Sequence, residues 1–480
     1  MRRTARSAAR DRVVGVGPFV QPKSRWIGRL LKPALMAAIV GLFSVFGLAD
    51  RIAGFSANLG EKDRIVRWAS VLSGATRNAI PVTLIDIDGP TMAALGNPPR
   101  APRDLLAGLI ALGAAKRAGG IFLDMDTVRP DTPAGDAALT AFIAGYPADA
   151  PPLALARRLD TLSEGGANRL VAEPSILDAA TAGHANILWV TSVSRIDEDR
   201  VVRRWELSQT LCEGTGGITL PSPQLAAAAV AGSPPRPLAD VAAFTQARTR
   251  ALCAGDGSPA PAWPRNPDAR AAIPFLIADG PDLAAPQFIR RGGRDVPLFR
   301  RVSARTLLTP VGAVVAPRAV ADDLLANRFV IIGSSHAESL DGHLTPIGYL
   351  PGALIVANAV ATAPAVLSGR PLGTLGATLV ALALFGLLTA ITARLKALPA
   401  AIVVALAVLG SLALLGQIVA PTTAGDIVLA AFGMLAFFST LEGVFGIARE
   451  WRRQGWRALL KPGKPVKPNQ PAAQPTEDPA

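Results

Sequence analysis

Histidine and cysteine are nearly missing from this chain: three histidines and two cysteines are spread through 480 residues. That scarcity excludes metal centres built from repeated His and Cys ligands. The spacing of Cys212 and Cys253 fits neither a zinc site nor a CxxC redox pair. His184 stands alone ahead of an apolar run and reads as structural. His336 and His343 share a loop with Ser334, Ser335 and Asp341, but no Gly-x-Ser-x-Gly elbow surrounds either serine, so a hydrolase triad is not expected. The sequence also lacks a Walker loop, an HExxH helix and a dinucleotide fingerprint. No catalytic residue, metal or cofactor is therefore expected, and the chain reads as a non-enzyme.

Charge is missing in a more telling way. Four long apolar runs carry almost none: Pro33 to Ala49, Pro371 to Ala393, Ala397 to Gly425, and Ile427 to Ala448, which is interrupted only by Glu442. At about 1.5 Å per residue each can cross about 30 Å of hydrocarbon, the first narrowly. The spans are read as residues 33–49, 371–393, 397–420 and 426–448. Glu442 lies one to two turns from Arg449 and can reach the interface by extending its side chain along the helix.

Basic residues set the orientation. Nine Lys and Arg precede the first span against Asp11 alone, Arg394 and Lys396 join the second and third spans, and seven follow the fourth. Residues 421–426 contain none. This asymmetry puts residues 1–32 and 449–480 in the cytoplasm and residues 50–370 outside it. The leader of residues 1–32 is too long for a signal peptide and no small-x-small cleavage site follows, so the first span is read as an uncleaved anchor.

The net charge of +13 takes its meaning from that layout. Residues 50–370 hold 31 basic and 30 acidic side chains, so the excess flanks the membrane, where anionic lipid attracts it. A nucleic-acid partner is not expected, and the lipid bilayer is. Cys212 and Cys253 both fall in the outer segment, where an oxidising compartment permits a disulfide; two separate buried thiols are the alternative.

The outer segment reads as α/β. Asp50 to Arg77 has the pattern of an amphipathic helix leaving the membrane. Ile80 to Asp88 is a buried strand ending in carboxylates, Arg103 to Ala118 a helix, and Ile121 to Met125 a second strand. That unit argues for neighbouring parallel strands joined by a right-handed crossover. A short helix over Asp136 to Ile143 and a strand over Leu153 to Ala156 follow. Asn186 to Ser192 and Val201 to Leu207 look like an antiparallel pair turning at Asp197-Glu-Asp199. Residues 208–300, rich in Pro, Gly and Ala, give no strand order. Arg328 to Gly333 is again a strand, and Ala353 to Thr362 a helix. The expected fold is a largely parallel or mixed sheet flanked by helices, borne on one leading and three trailing membrane helices.

The ordered set Leu84-Ile-Asp-Ile-Asp88, Arg103, Phe122-Leu-Asp124, Gly135-Asp-Ala-Ala-Leu139, Val330-Ile-Ile-Gly333, Asp341, Thr345-Pro346, Pro351-Gly352 and Ala357-Asn358 resembles the type-two CHASE domain. That family is an extracytoplasmic sensory module of bacterial signalling proteins, and its plan of one leading span and a trailing cluster is similar to this one. Where members carry an aromatic Trp-Pro-Trp-Pro-Arg-like element, this chain has Asn97-Pro-Pro-Arg-Ala-Pro-Arg103. Members also carry a cyclase or kinase after the last span. Here about 30 residues of basic, Pro-rich composition follow, with no expected room for such a domain.

The resemblance implies a sensor in the bacterial inner membrane that binds a small-molecule or protein signal outside and acts through a separate cytoplasmic or membrane signalling partner. An envelope scaffold using the same domain for protein contacts is the alternative, and homo-oligomerisation stays open. Strand ends in open α/β sheets bind ligands. Asp86, Asp88 and Asp124 stand at two such ends, with Arg103 as a donor and Asp341 and His343 placed to close the crevice. These six are the candidate ligand residues. Helix caps and ion pairs to Arg100 and Arg103 are the competing explanation of the same acids.

Overall fold

Strands of four or five residues that are apolar on both faces are stable in a parallel sheet only when helices cover both sides. This chain supplies six strands and that cover. The computed structural model describes residue 76 and residues 78–368, apart from 165–166, 192–193, 197–199, 256–262, 265–269, 274, 278–287, 292 and 337–340, and a few helical positions between 379 and 387. The strands are β1 (Val82–Asp86), β2 (Gly120–Leu123), β3 (Leu153–Ala156), β4 (Ile187–Val190), β5 (Phe299–Ser303) and β6 (Phe329–Gly333). They lie in the order β5-β1-β6-β2-β3-β4, and each neighbouring pair is parallel. The principal helices are α1 (Gly89–Ala94), α2 (Arg103–Ala115), α3 (Pro133–Ala144), α4 (Pro223–Val230), α5 (Leu238–Thr249) and α6 (Gly352–Ser368).

Alternation along the strands divides the core in two. Leu84, Phe122, Ala154 and Ile331 face one side, where they pack with α4, α5 and α6. Ile85, Ile121, Leu123, Val330 and Ile332 face the other, against Leu106, Leu109 and Ile110 of α2 and Leu139 and Ile143 of α3. Helix α6 is apolar around its whole circumference, as a helix sunk in a core must be. Its one amide, Asn358, is fully buried. It accepts from the Ile277 N–H at 2.7 Å and donates to the Ile277 and Leu354 carbonyls at 2.8 and 2.9 Å.

Two features of strand placement differ from the sequence reading. β1 and β2 are not neighbours, because β6 lies between them, bonded to both. The crossover from β1 through α2 skips one strand position, and a strand some 200 residues later fills it; local periodicity carries no information about such an insertion. The hairpin in the middle of the domain is also shifted. Ser194–Ile196 pairs antiparallel with Val202–Glu206, whereas β4 turns away to extend the parallel sheet beside β3. Half-buried Ile187, Leu188 and Trp189 gain more cover on the sheet edge than a two-stranded ribbon would give.

Cys212, in the strand Ser208–Glu213, is joined to Cys253, in the helical turn Arg250–Ala254, with the two Cα atoms 5.4 Å apart. No helix among the described residues is long and apolar enough to cross a membrane. The expected spans 33–49, 397–420 and 426–448, all but residue 76 of the amphipathic stretch Asp50 to Arg77, and nearly all of 371–393 lie outside the described residues.

Candidate functional site

Because every strand of the sheet runs the same way, the carboxyl ends of all six lie along one edge. β2 leads into α3 on one face and β6 leads into α6 on the other. The boundary between β6 and β2 is therefore where successive connections leave for opposite sides, the geometry that opens a crevice in such sheets. A cavity of ≈ 130 Å³ lies there, with Asp124 from the end of β2 and Asp341, His343, Gly352 and Val356 from the chain after β6 in its wall. Ser194 and Ile196 of the neighbouring hairpin complete it.

Asp124 is held by its backbone, whose N–H donates to the Ile332 carbonyl at 2.8 Å. Its carboxyl receives no hydrogen bond from any described residue. Burial pushes it up from 3.8 to about 7, and the nearby charge of Asp341 adds to the effect. Asp341 is placed differently. Its carbonyl accepts from the Gly352 N–H at 2.7 Å, and its carboxylate meets His343 Nε2 at 3.2 Å. That hydrogen bond raises the His343 pKa, against a smaller opposing effect of burial. Glycine is required at position 352, because a Cβ there would stand 2.1 Å from Asp341 Oδ2. The first residue of α6 thus makes room for a carboxylate at the positive end of a 17-residue helix.

The other three candidates are committed elsewhere. Asp86 accepts from Arg301 Nε at 2.7 Å, the Ser335 N–H at 2.9 Å and Ser335 Oγ at 2.7 Å, which joins β1 to β5 and to the loop after β6. Asp88 caps α1, accepting from the Thr91 N–H at 2.9 Å and Thr91 Oγ1 at 2.6 Å, with Ser303 Oγ at 3.0 Å. Arg103 is buried and donates to the carbonyls of Asp126 and Arg129 at 2.6 and 2.9 Å, with Asp136 at 3.5 Å. It shapes the loop after β2. The structure therefore brings together Asp124, Asp341 and His343, and leaves Asp86, Asp88 and Arg103 outside the cavity wall. The sequence reading missed Ser194, Ile196 and Val356, whose only signal is their position on elements that meet in space.

The Asp124 carboxyl carries a testable pH signature. The folded state holds its proton more tightly than the unfolded chain, so this residue's contribution is most favourable below about pH 4. It is lost as pH rises towards about 7 and changes little above that. Asp124→Asn should remove the cost, making the variant more stable than the parent at pH 8 by about 2 kcal/mol, a value that allows for water in the cavity. The two should converge at pH 4. Equilibrium unfolding of both proteins at the two pH values checks this, and equal stability at pH 8 would contradict it.

A family model described as the CHASE2 domain matches residues 35–392 of the chain. No curated protein and no solved structure matches it.

Proposed function

The chain belongs to the CHASE2 domain family, an extracytoplasmic sensory domain, and on that premise we propose that it is a membrane-anchored sensor whose signal binds at the carboxyl edge of the sheet. One observation carries the reading. Helix α6 begins in the cavity wall at Gly352 and continues to Ser368, three residues before the apolar run that starts at Pro371. At about 1.5 Å per residue that helix is about 25 Å long. A ligand that shifted its first turn would act on a helix packed into the core along its length and leading in sequence to the next span. The basic residues flanking the four apolar runs support anchoring in the bacterial inner membrane with both termini inside. The sensor has no catalytic step of its own and passes the change to a separate partner in the membrane or cytoplasm.

Labelling from the two sides tests the anchoring. In cells expressing the full chain, a membrane-impermeant maleimide should modify Asp160→Cys in intact spheroplasts and Pro465→Cys only after permeabilisation. Asp160 is exposed on its hairpin, so its accessibility is not limited by the fold. Labelling of Asp160→Cys from the cytoplasmic side alone would reverse the topology and end the reading.

A further inference from the structure

The cavity beside Asp124 is small, has Ile196 and Val356 in its wall, and contains one acid to which no described residue donates a hydrogen bond. Resting on the sensory reading of this site, we propose that it binds a small primary amine, with the ammonium group on the Asp124 carboxylate and a short carbon body between Ile196 and Val356.

Size comes first. A cavity of ≈ 130 Å³ is below the range of pockets for drug-sized ligands and close to one that holds a single six-carbon ring, so the guest has about six heavy atoms. Charge selects the sign. Asp341 is hydrogen-bonded to His343, whereas no described residue donates to the Asp124 carboxyl, which is half-buried in the same wall. A carboxylate drawn partly out of water without a donor is costly, and a ligand that brings N–H groups removes the cost. An anion is disfavoured by the two carboxylates. The positive end of α6 offers it no compensation, because Asp341 is already there: its carbonyl accepts from the Gly352 N–H and its carboxylate stands beside Gly352.

The walls select the rest of the molecule. Among the described residues no group of His, Cys, Asp and Glu is arranged to hold a metal ion. Ile196 and Val356 put hydrocarbon into the wall beside Asp124, which suits carbon better than a hydrated cation. Ser194 stands as a second acceptor for an ammonium that has three protons to place.

The test uses the full chain purified in detergent at pH 8, with n-butylamine as probe and butan-1-ol and butyrate as neutral and anionic matches of similar size. Titration calorimetry should show saturable binding of butylamine, at least about tenfold tighter than butanol, and none of butyrate. Asp124→Asn should weaken butylamine binding by about tenfold or more while leaving the butanol value unchanged. Ile196→Lys, at an exposed rim position, adds a competing ammonium without disturbing the core and should weaken butylamine at least fivefold. Equal binding of amine and alcohol, undiminished binding by the folded Asp124→Asn protein, or no saturation with butylamine at millimolar concentrations would overturn the proposal. The labelling experiment is independent of these results. A correct topology with no amine binding removes the ligand class alone, and amine binding with a reversed topology removes the sensor reading alone.

Discussion

Replacing Arg328 with alanine should destabilise the α/β domain by about 3 to 5 kcal/mol, the largest single-residue effect expected outside the disulfide. The side chain enters the sheet at the foot of β6 and is almost completely buried. Its Nε donates to Thr83 Oγ1 at 2.7 Å, Nη1 to the Pro297 carbonyl at 2.8 Å, and Nη2 to the Val82 carbonyl at 2.6 Å. Thr83 Oγ1 passes the chain of bonds on to the Leu324 carbonyl at 2.6 Å. One guanidinium thus ties together β1, β6 and the segment leading into β5, where their ends would otherwise present carbonyls to an apolar interior. Burial lowers its pKa to about 10, helped by the positive charge of Arg300, so it remains charged at neutral pH. Truncation would leave several buried acceptors without donors and open a cavity of side-chain size.

Lysine cannot reproduce the planar fork and should recover at most about half of the loss. Methionine should restore volume but not bonding, and should lie near alanine. Unfolding of the three variants, followed by tryptophan fluorescence in detergent, ranks them. A loss below about 1 kcal/mol for alanine would mean that water or a neighbouring donor replaces the guanidinium.

Arg328 also marks how far the sequence could be read. The run Arg328 to Gly333 is legible as a strand because four apolar residues and a glycine follow the arginine, but nothing local distinguishes a buried arginine from a solvated one at a strand entrance. The same holds across the fold. β1, α2, β2, β3 and β6 are recognisable because each is apolar at the period of its own secondary structure. β5 is not, since Phe-Arg-Arg-Val-Ser is the composition of an edge strand with one side open to solvent, and it lies in a Pro- and Gly-rich stretch. Missing β5 hides Arg301, and with it one of the partners that hold the Asp86 carboxylate. The two residues that meet there are 215 apart in sequence. Asp124, Asp341 and His343 were legible for a physical reason. Carboxylates after apolar strands must lie at the carboxyl edge of a parallel sheet, and that edge is where a crevice opens. Which acids find partners depends on strand order, and strand order is set by packing among distant segments.

Joining Cys212 to Cys253 should be worth about 4 kcal/mol to the folded domain, from closure of a loop of 41 residues in the chain-entropy model. The bond fastens α5 and the turn after it to the hairpin of Ser208–Glu213 and Gly216–Pro221. The fold is built around it. Gly217, opposite Cys212 in the hairpin, has a φ of +152° and no room for a side chain, since a Cβ would lie 2.2 Å from the Leu211 carbonyl and 3.1 Å from Cys253 Sγ. The same contact also has a non-covalent part: Thr219 Oγ1 lies 2.7 Å from Thr249 Oγ1 and 2.9 Å from Thr210 Oγ1. Removing the covalent link should therefore lower stability without unfolding the hairpin. The expected result is that dithiothreitol destabilises the parent by about 3 to 4 kcal/mol and leaves a Cys212→Ala, Cys253→Ala double variant unaffected, with that variant already at the reduced protein's stability. Alkylation of two free thiols in protein purified without reductant would contradict both the bond and its consequence. Because such bonds form and persist outside the reducing cytosol, the same alkylation experiment, made on protein trapped in intact cells, also reports which side of the membrane this domain occupies. Oxidised cysteines and labelling of Asp160→Cys from outside should agree, since one compartment sets both.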